Sequence, residues 1–68
     1  MRYLVLIDEA GGNYSASVPD LPDCTASGKT LALVERKIRS AIRSHSAELE
    51  ENGSPIPAPH SIAKYVDA

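Results

Sequence analysis

Two stretches of strand-like sequence open the chain, and a glycine turn separates them. Residues 2–8 (RYLVLID) are rich in leucine, aromatic and β-branched side chains, and residues 14–18 (YSASV) alternate between apolar and polar positions. Gly11 and Gly12 tolerate the positive φ angles that a two-residue hairpin turn requires. The pattern predicts an antiparallel hairpin, and one of its faces carries Tyr3, Val5, Ile7, Tyr14, Ala16 and Val18.

One long amphipathic helix is predicted in the second half of the chain. Apolar side chains recur at spacings of three and four residues after Thr30, the expected N-cap, and Asn52-Gly53 supplies a stop signal. The stripe consists of Leu31, Val34, Ile38, Ala41, Ile42, His45 and Leu49.

Three shorter segments complete the predicted fold. Residues 24–28 form a short third strand, residues 54–61 an extended proline-rich return, and residues 61–68 a last short strand. The order is β-β-β-α-β, which is a single α+β domain over residues 1–68. Its mainly antiparallel sheet has one face covered by the helix. The arrangement resembles small double-stranded-RNA-binding folds and truncated ribonuclease H folds.

The size of the chain favours self-association. A domain of 68 residues buries too little surface for high stability without a disulfide, a metal or a partner. A single cysteine fits a reducing cytoplasm, and no signal peptide or membrane span is visible, so we expect a cytoplasmic homo-oligomer. The outer sheet face is one candidate interface, although its leucines are equally explained as scattered surface residues: Leu4, Leu6, Ser15 and Ser17.

No catalytic, cofactor or metal site is expected. Cys24 lies beside acidic residues, which raise the pKa of a thiol and disfavour a nucleophile. The spacing of Cys24, His45 and His60 matches no usual set of metal ligands. A nuclease would need carboxylates to converge on metal ions, and the sequence does not indicate that Asp8, Glu35 and Asp67 do so.

Charge is distributed unevenly along the chain. Residues 1–28 carry four acidic side chains and one arginine, and an acidic region suits a basic partner. On the helix, Arg36, Arg39 and Arg43 form a basic stripe opposite the apolar one. Without interleaved aromatic side chains this stripe favours contact with protein over nucleic acid, although a solvated helix face explains it as well.

Taken together, these segments resemble the HicB family of type II antitoxins and its free-standing relatives. The resemblance rests on the opening MRYLVLIDEAGGNYSASVPDLPDC, on SGKTL, on the amphipathic helix and on ELEENGSPIPAP, and it covers nearly the whole chain. Three features depart from the family pattern. Asp23 replaces a glycine, Lys29 replaces an acid, and Leu31-Ala32-Leu33 replaces a start that carries a capping-box glutamate.

The resemblance implies a partner and a mode of action. HicB-like domains mask the catalytic histidine of a small basic ribonuclease toxin, HicA, and self-associate through their sheet. Many continue into a DNA-binding domain, and none is visible here, so we expect no direct operator binding. In the proline-rich turn, the fixed φ angles of Pro19 and Pro22 would hold the acids in a preset geometry that favours docking, although a tight connection between strands explains the prolines equally well. The candidate contact residues are Asp20, Leu21, Pro22, Asp23, Arg36, Arg39 and Arg43.

The sequence therefore predicts a HicB-like antitoxin without catalysis of its own. The alternative is an oligomeric scaffold of the same fold that has no toxin partner. A degenerate nuclease is a third class, which would require metal binding and RNA turnover.

Overall fold

A computed structural model describes all of residues 1–68. It contains three strands and one helix: β1 spans Leu6–Ala10, β2 spans Asn13–Val18, β3 spans Leu21–Gly28 and α1 spans Leu31–Glu51. The strands form one antiparallel sheet in the order β1-β2-β3, and the helix packs on it. The predicted α+β class is confirmed.

The hairpin between β1 and β2 has the predicted turn and register. Gly11 and Gly12 take φ angles of +60° and +76°, a region that side chains with a Cβ atom disfavour. Ile7 then lies opposite Ala16, while Leu6 lies opposite Ser17. Because opposite residues share a face, the apolar positions of both strands point towards the helix, as the alternation predicted.

Strand β3 is longer than predicted and contains an irregularity. The pairing passes from Val18 opposite Leu21 directly to Ser17 opposite Thr25, so Pro22, Asp23 and Cys24 interrupt the ladder. Proline has no N–H to donate to a neighbouring strand, and a bulge is one of the places in a sheet that accept it. The interruption exposes Pro22 and Asp23 and turns Cys24 into the core.

Both ends of α1 are capped as the sequence predicted. The Thr30 hydroxyl accepts a hydrogen bond from the Leu33 N–H at 3.1 Å. At the other end, the Ser54 and Gly53 N–H groups donate to the carbonyls of Leu49 and Glu50, and Gly53 has a φ of +69°. This pair of bonds is a Schellman motif, which satisfies carbonyls that the helix leaves free.

The hydrophobic core lies between α1 and the second and third strands. Val34 and Ile38 are the buried helix residues, and they pack with Val18, Leu21 and other small side chains of the sheet. No Cα atom of β1 comes within 8 Å of a Cα atom in α1. The helix therefore lies closer to β2 and β3 than to β1, and Ile7 of β1 is only partly buried against the core.

The first predicted strand begins later than expected. Residues 2–5 lie outside the ladder. A strand needs a neighbour to complete its backbone hydrogen bonds, and the register would set residues 2–4 beyond Val18, where β2 ends and the chain turns at Pro19.

The predicted last strand is wrong for the isolated chain. Residues 61–68 pair with no strand, and Ile62, Tyr65 and Val66 are largely exposed. The preceding return segment contacts the residues just before β1: the Tyr3 hydroxyl donates to the Pro57 carbonyl. Contacts at Asp20, described below, then hold Ser61 at the end of the sheet. A sequence with strand-forming composition becomes a strand only where it pairs with an open sheet edge, and residues 61–68 pair with no edge.

We expect Thr30→Ala to lower the free energy of unfolding by about 1 kcal/mol, because it leaves the Leu33 N–H without its cap. Urea denaturation followed by circular dichroism measures the change. Ser44→Ala, at an exposed helix position, is the matched control and should cause no loss. Equal stability of the Thr30→Ala variant and the wild type would contradict the role of this cap.

Candidate functional site

The turn between β2 and β3 is organised around the carboxylate of Asp20. Its Oδ2 atom accepts hydrogen bonds from the backbone N–H groups of His60 and Ser61, each at 3.1 Å, and its Oδ1 accepts one from the Ser61 hydroxyl at 2.8 Å. The His60 Nδ1 lies 3.1 Å from Oδ1 and forms the only ion pair when the imidazole is protonated. We call this group of contacts the Asp20 clasp.

The clasp changes the expected role of Asp20. The residue is only 7% exposed, whereas the sequence analysis placed both acids of the turn on a surface facing a partner. Leu21 is also buried, at 1% exposure. Asp20 and Leu21 therefore act inside the chain: the leucine belongs to the core, and the aspartate joins the turn to the C-terminal segment.

Burial alone would raise the pKa of Asp20, because it disfavours the charged carboxylate. Hydrogen bonds from the Ser61 side chain and backbone, another from the His60 backbone, and the charge of His60 outweigh that effect. The pKa of Asp20 consequently lies below its ordinary value. The stabilisation it provides is complete above the pKa of an unfolded aspartate, about 3.9, and is lost as the pH falls through the lower folded value.

The pairing interruption in β3 presents an acid to solvent. Pro22 and Asp23 are exposed, and Asp23 forms no ion pair with another residue. The fixed φ angle of Pro22 limits the conformations of its neighbour. Of the four turn residues named from the sequence, these two are available to a partner.

Cys24 lies behind this bulge and is 2% exposed. Its Sγ is 3.8 Å from the Ala41 carbonyl oxygen, to which the thiol donates. Burial, and secondarily the charge of Asp23, raise the pKa of the Cys24 thiol. Only thiolates are good nucleophiles, so the environment of Cys24 suits a packing role.

The three helix arginines are exposed, but the structure does not bring them to the acidic bulge. Arg39 lines an open cavity on the β1 side of the helix, together with Glu35. None of the arginines lies within ion-pairing distance of an acid. Bulge and basic stripe are therefore two separate surfaces, whereas the sequence analysis grouped them as one candidate set.

The outer face of the sheet has the predicted composition. Leu6 is 50% exposed, Leu4 is half-buried, and Ser15 and Ser17 are exposed. Leu4 and Leu6 also line a shallow cavity with Pro19 and the beginning of the C-terminal tail, residues 61–65. The leucines thus lie next to the segment that the clasp positions.

The candidate metal ligands and nucleophile lie apart in the fold. No group of three or more histidine, cysteine, aspartate and glutamate residues is arranged to hold a metal ion. The half-buried His45 and the exposed His60 lie on different elements from Cys24. The helix is not long and apolar enough to cross a membrane.

The comparisons with known proteins decide the family. The profile of a family described as "HicB_like antitoxin of bacterial toxin-antitoxin system" matches residues 3–68. The chain belongs to this HicB-like antitoxin family. Its fold is similar to the crystal structure of the N-terminal domain of the Burkholderia pseudomallei antitoxin HicB, with a TM-score of 0.76 and 27% sequence identity. That match covers 85% of this chain and 69% of the other. No curated protein matches significantly.

Sequence reasoning missed the Asp20 clasp. The partners of Asp20 are 40 and 41 residues further along the chain, and no spacing rule connects residues so far apart. The available signal was the short polar pair His60-Ser61 after a proline-rich return. Such a pair offers consecutive N–H groups to a buried acceptor.

We expect Asp20→Asn to reduce the acid sensitivity of this HicB-like domain. Asparagine has no carboxylate to protonate, so the stability that the wild type loses as the pH falls from about 5 towards 2 should no longer depend on that ionisation. Thermal unfolding at a series of pH values measures the slope of Tm against pH. Asp23→Asn removes an exposed neighbouring acid and should keep the wild-type slope. Parallel curves for the wild type and Asp20→Asn would contradict the assignment.

Cys24 should react slowly with a thiol reagent in the folded protein and rapidly in urea, because it is buried and its pKa is raised. A Cys24→Ser, Ser27→Cys variant places the single thiol at an exposed position of the same strand and should react quickly in both conditions. Equal native rates for the two proteins would show that Cys24 is accessible.

Proposed function

We propose that this HicB-like domain binds and masks a small basic toxin of the HicA type, without catalysis of its own. Membership of the antitoxin family supports a toxin partner, since the family match includes almost every residue. The mechanism is steric and electrostatic: the domain covers the active surface of the toxin and holds it inactive.

The single observation that carries the proposed contact is the exposed Pro22-Asp23 bulge. It presents a carboxylate on a conformationally restricted segment, and no basic side chain of the same chain neutralises it. A fixed negative charge accelerates association with a basic partner and favours one orientation of docking. Asp23 therefore provides the first contact, and Pro22 keeps it in place.

The arginine stripe provides a second contact with acidic groups. Arg36 and Arg43 are exposed and form no ion pairs, so they are free to meet carboxylates of a bound protein. They would repel the basic surface of the toxin at long range. We therefore propose that the bulge attracts the toxin at long range and that the helix arginines form ion pairs with carboxylates of the bound toxin.

The absence of catalysis is supported by the state of the candidate nucleophile. Cys24 is buried with a raised pKa, and no group of three or more histidine, cysteine and acidic residues is arranged to hold a metal ion. Masking requires neither a nucleophile nor a metal. A toxin that cleaves messenger RNA would be met in the cytoplasm, which is the compartment we propose.

Charge reversal at the bulge tests the proposed contact. We expect Asp23→Lys to weaken binding to the basic protein encoded beside the gene about tenfold at low salt, the equivalent of about 1.4 kcal/mol. Titration calorimetry or co-purification with a tagged toxin measures the loss, and rescue of growth during toxin expression provides a second readout.

Glu51→Lys is the matched control, because it makes the same change in net charge at an exposed position in the last turn of the helix. Binding that is weakened equally by both variants would attribute the effect to overall charge rather than to the bulge. A wild-type protein that binds no neighbouring basic protein would favour the scaffold alternative. RNA cleavage by the purified domain would overturn the non-catalytic assignment.

A further inference from the structure

Exposed apolar side chains are gathered at one end of the sheet. Leu4 and Leu6 lie beside Ile62 and Tyr65 of the tail, and together with Pro19 they line an open cavity of about 530 Å³. Leu6, Ile62 and Tyr65 are 50%, 89% and 101% exposed. We call these five residues the apolar patch. A contiguous apolar surface on a small protein commonly marks a site of contact with a partner.

The Pro22-Asp23 bulge lies at the same end of the sheet. Pro19 of the apolar patch comes only three positions before Pro22 in the chain. Ser17 lies opposite both Leu6 and Thr25, so β1 and β3 are separated here by two strand spacings, about 10 Å. A protein contact of ordinary size covers about 800 Å² of each partner. A single partner can therefore cover the apolar patch and the bulge together.

The Asp20 clasp joins the two parts of this surface. Asp20 lies in the turn between them, and its buried carboxylate accepts hydrogen bonds from the His60 and Ser61 N–H groups and from the Ser61 hydroxyl. Ile62 follows immediately, so the clasp sets where the tail begins at the end of the sheet. No hydrogen bond holds residues 62–68. The clasp is thus the fixed point from which the exposed part of the tail extends.

We propose that the Asp20 clasp preorganises a two-part docking surface for the toxin, in which the apolar patch packs on an apolar region of the toxin and the bulge attracts its basic surface. This inference rests on the proposed function, because membership of the antitoxin family is what supports a toxin as the partner. It adds an apolar anchor to the charged contact. Tyr65 is the expected centre of that anchor, since tyrosines are enriched among the residues that dominate binding energy at interfaces.

The charge of the sheet favours a basic protein over a second copy as the occupant. Residues 6–28, which comprise the three strands and their connections, contain four acidic side chains and no lysine or arginine. A symmetric pair of copies would place the same acidic surface on both sides of the contact, whereas a basic partner complements it. Lys64 also lines the cavity. Its charge opposes a basic partner, but it would attract the acidic sheet of a second copy.

Preorganisation explains why a buried residue affects a surface contact. A tail that is ordered only on binding loses conformational entropy at that moment, and this loss weakens affinity. Because the clasp fixes the start of the tail before the toxin arrives, less entropy remains to be lost. The effect of the clasp on affinity should therefore depend on the apolar side chains of the tail.

Binding to the basic protein encoded beside the gene tests the apolar patch. We expect a variant with Ile62→Ser and Tyr65→Ser to bind about tenfold more weakly by titration calorimetry, with an unchanged circular dichroism spectrum and an unchanged mass by light scattering. Leu31→Ser removes an exposed apolar side chain from the first turn of the helix and should bind like the wild type. Lys64→Ser should bind at least as tightly as the wild type.

The outcomes separate this inference from the proposed function. Full affinity of the tail variant, with a wild type that binds, overturns the inference and leaves the proposed function intact. A wild type that binds no neighbouring basic protein overturns both. A dimer that dissociates in the tail variant, together with weaker association in Lys64→Ser, assigns the apolar patch to a second copy and also overturns the inference.

A double-mutant cycle tests the clasp. Ser61→Ala removes the hydroxyl that donates to Asp20 and leaves the carboxylate and both N–H donors in place. We expect it to weaken toxin binding about threefold in the wild-type background and to have no further effect when Ile62 and Tyr65 are already serine. An equal effect in both backgrounds, or no effect in the wild type, would show that the clasp does not act through the tail and would overturn preorganisation.

Discussion

The offset of the helix from the sheet determines the rest of the structure. Because α1 lies closer to β2 and β3 than to β1, the fully buried core is limited to side chains from three elements, and only six apolar residues are buried. A domain with so small a core has little stability to spare. The same offset leaves Tyr3, Val5 and Ile7 only partly buried at the margin of the core.

The Asp20 clasp is a second constraint. It fixes the path of the backbone rather than the packing of the hydrophobic core. One buried carboxylate accepts the N–H groups of His60 and Ser61 and the Ser61 hydroxyl. This fixes where the C-terminal segment meets the end of the sheet, so that the start of the tail lies beside Leu4 and Leu6. A residue that the charge pattern assigned to a partner surface is therefore part of the internal architecture, and of the two acids in the turn only Asp23 is exposed.

Local rules predicted the parts of the fold that local interactions decide. Gly11-Gly12 set the hairpin register, Thr30 set the start of the helix and Gly53 set its end, since each depends on residues within a few positions. The family resemblance likewise rested on short motifs and was confirmed. The exposed bulge and the acid within it were visible in the sequence as Pro22 and Asp23, although the interrupted pairing was not.

Features that depend on distant residues were not predictable in this way. The composition of residues 61–68 is that of a strand, but composition does not reveal whether an edge lies within reach. The burial of Asp20 depends on donors 40 residues away, and the separation of Asp23 from the arginines depends on which strands the helix covers. Each of these outcomes is a property of the packed chain.

The bulge in β3 has a consequence for how large any assembly can become. Proline without an N–H group, an interrupted ladder and a charged side chain are features that prevent a sheet margin from recruiting further strands. This margin of the sheet is therefore blunted, and uncontrolled aggregation from that side is disfavoured.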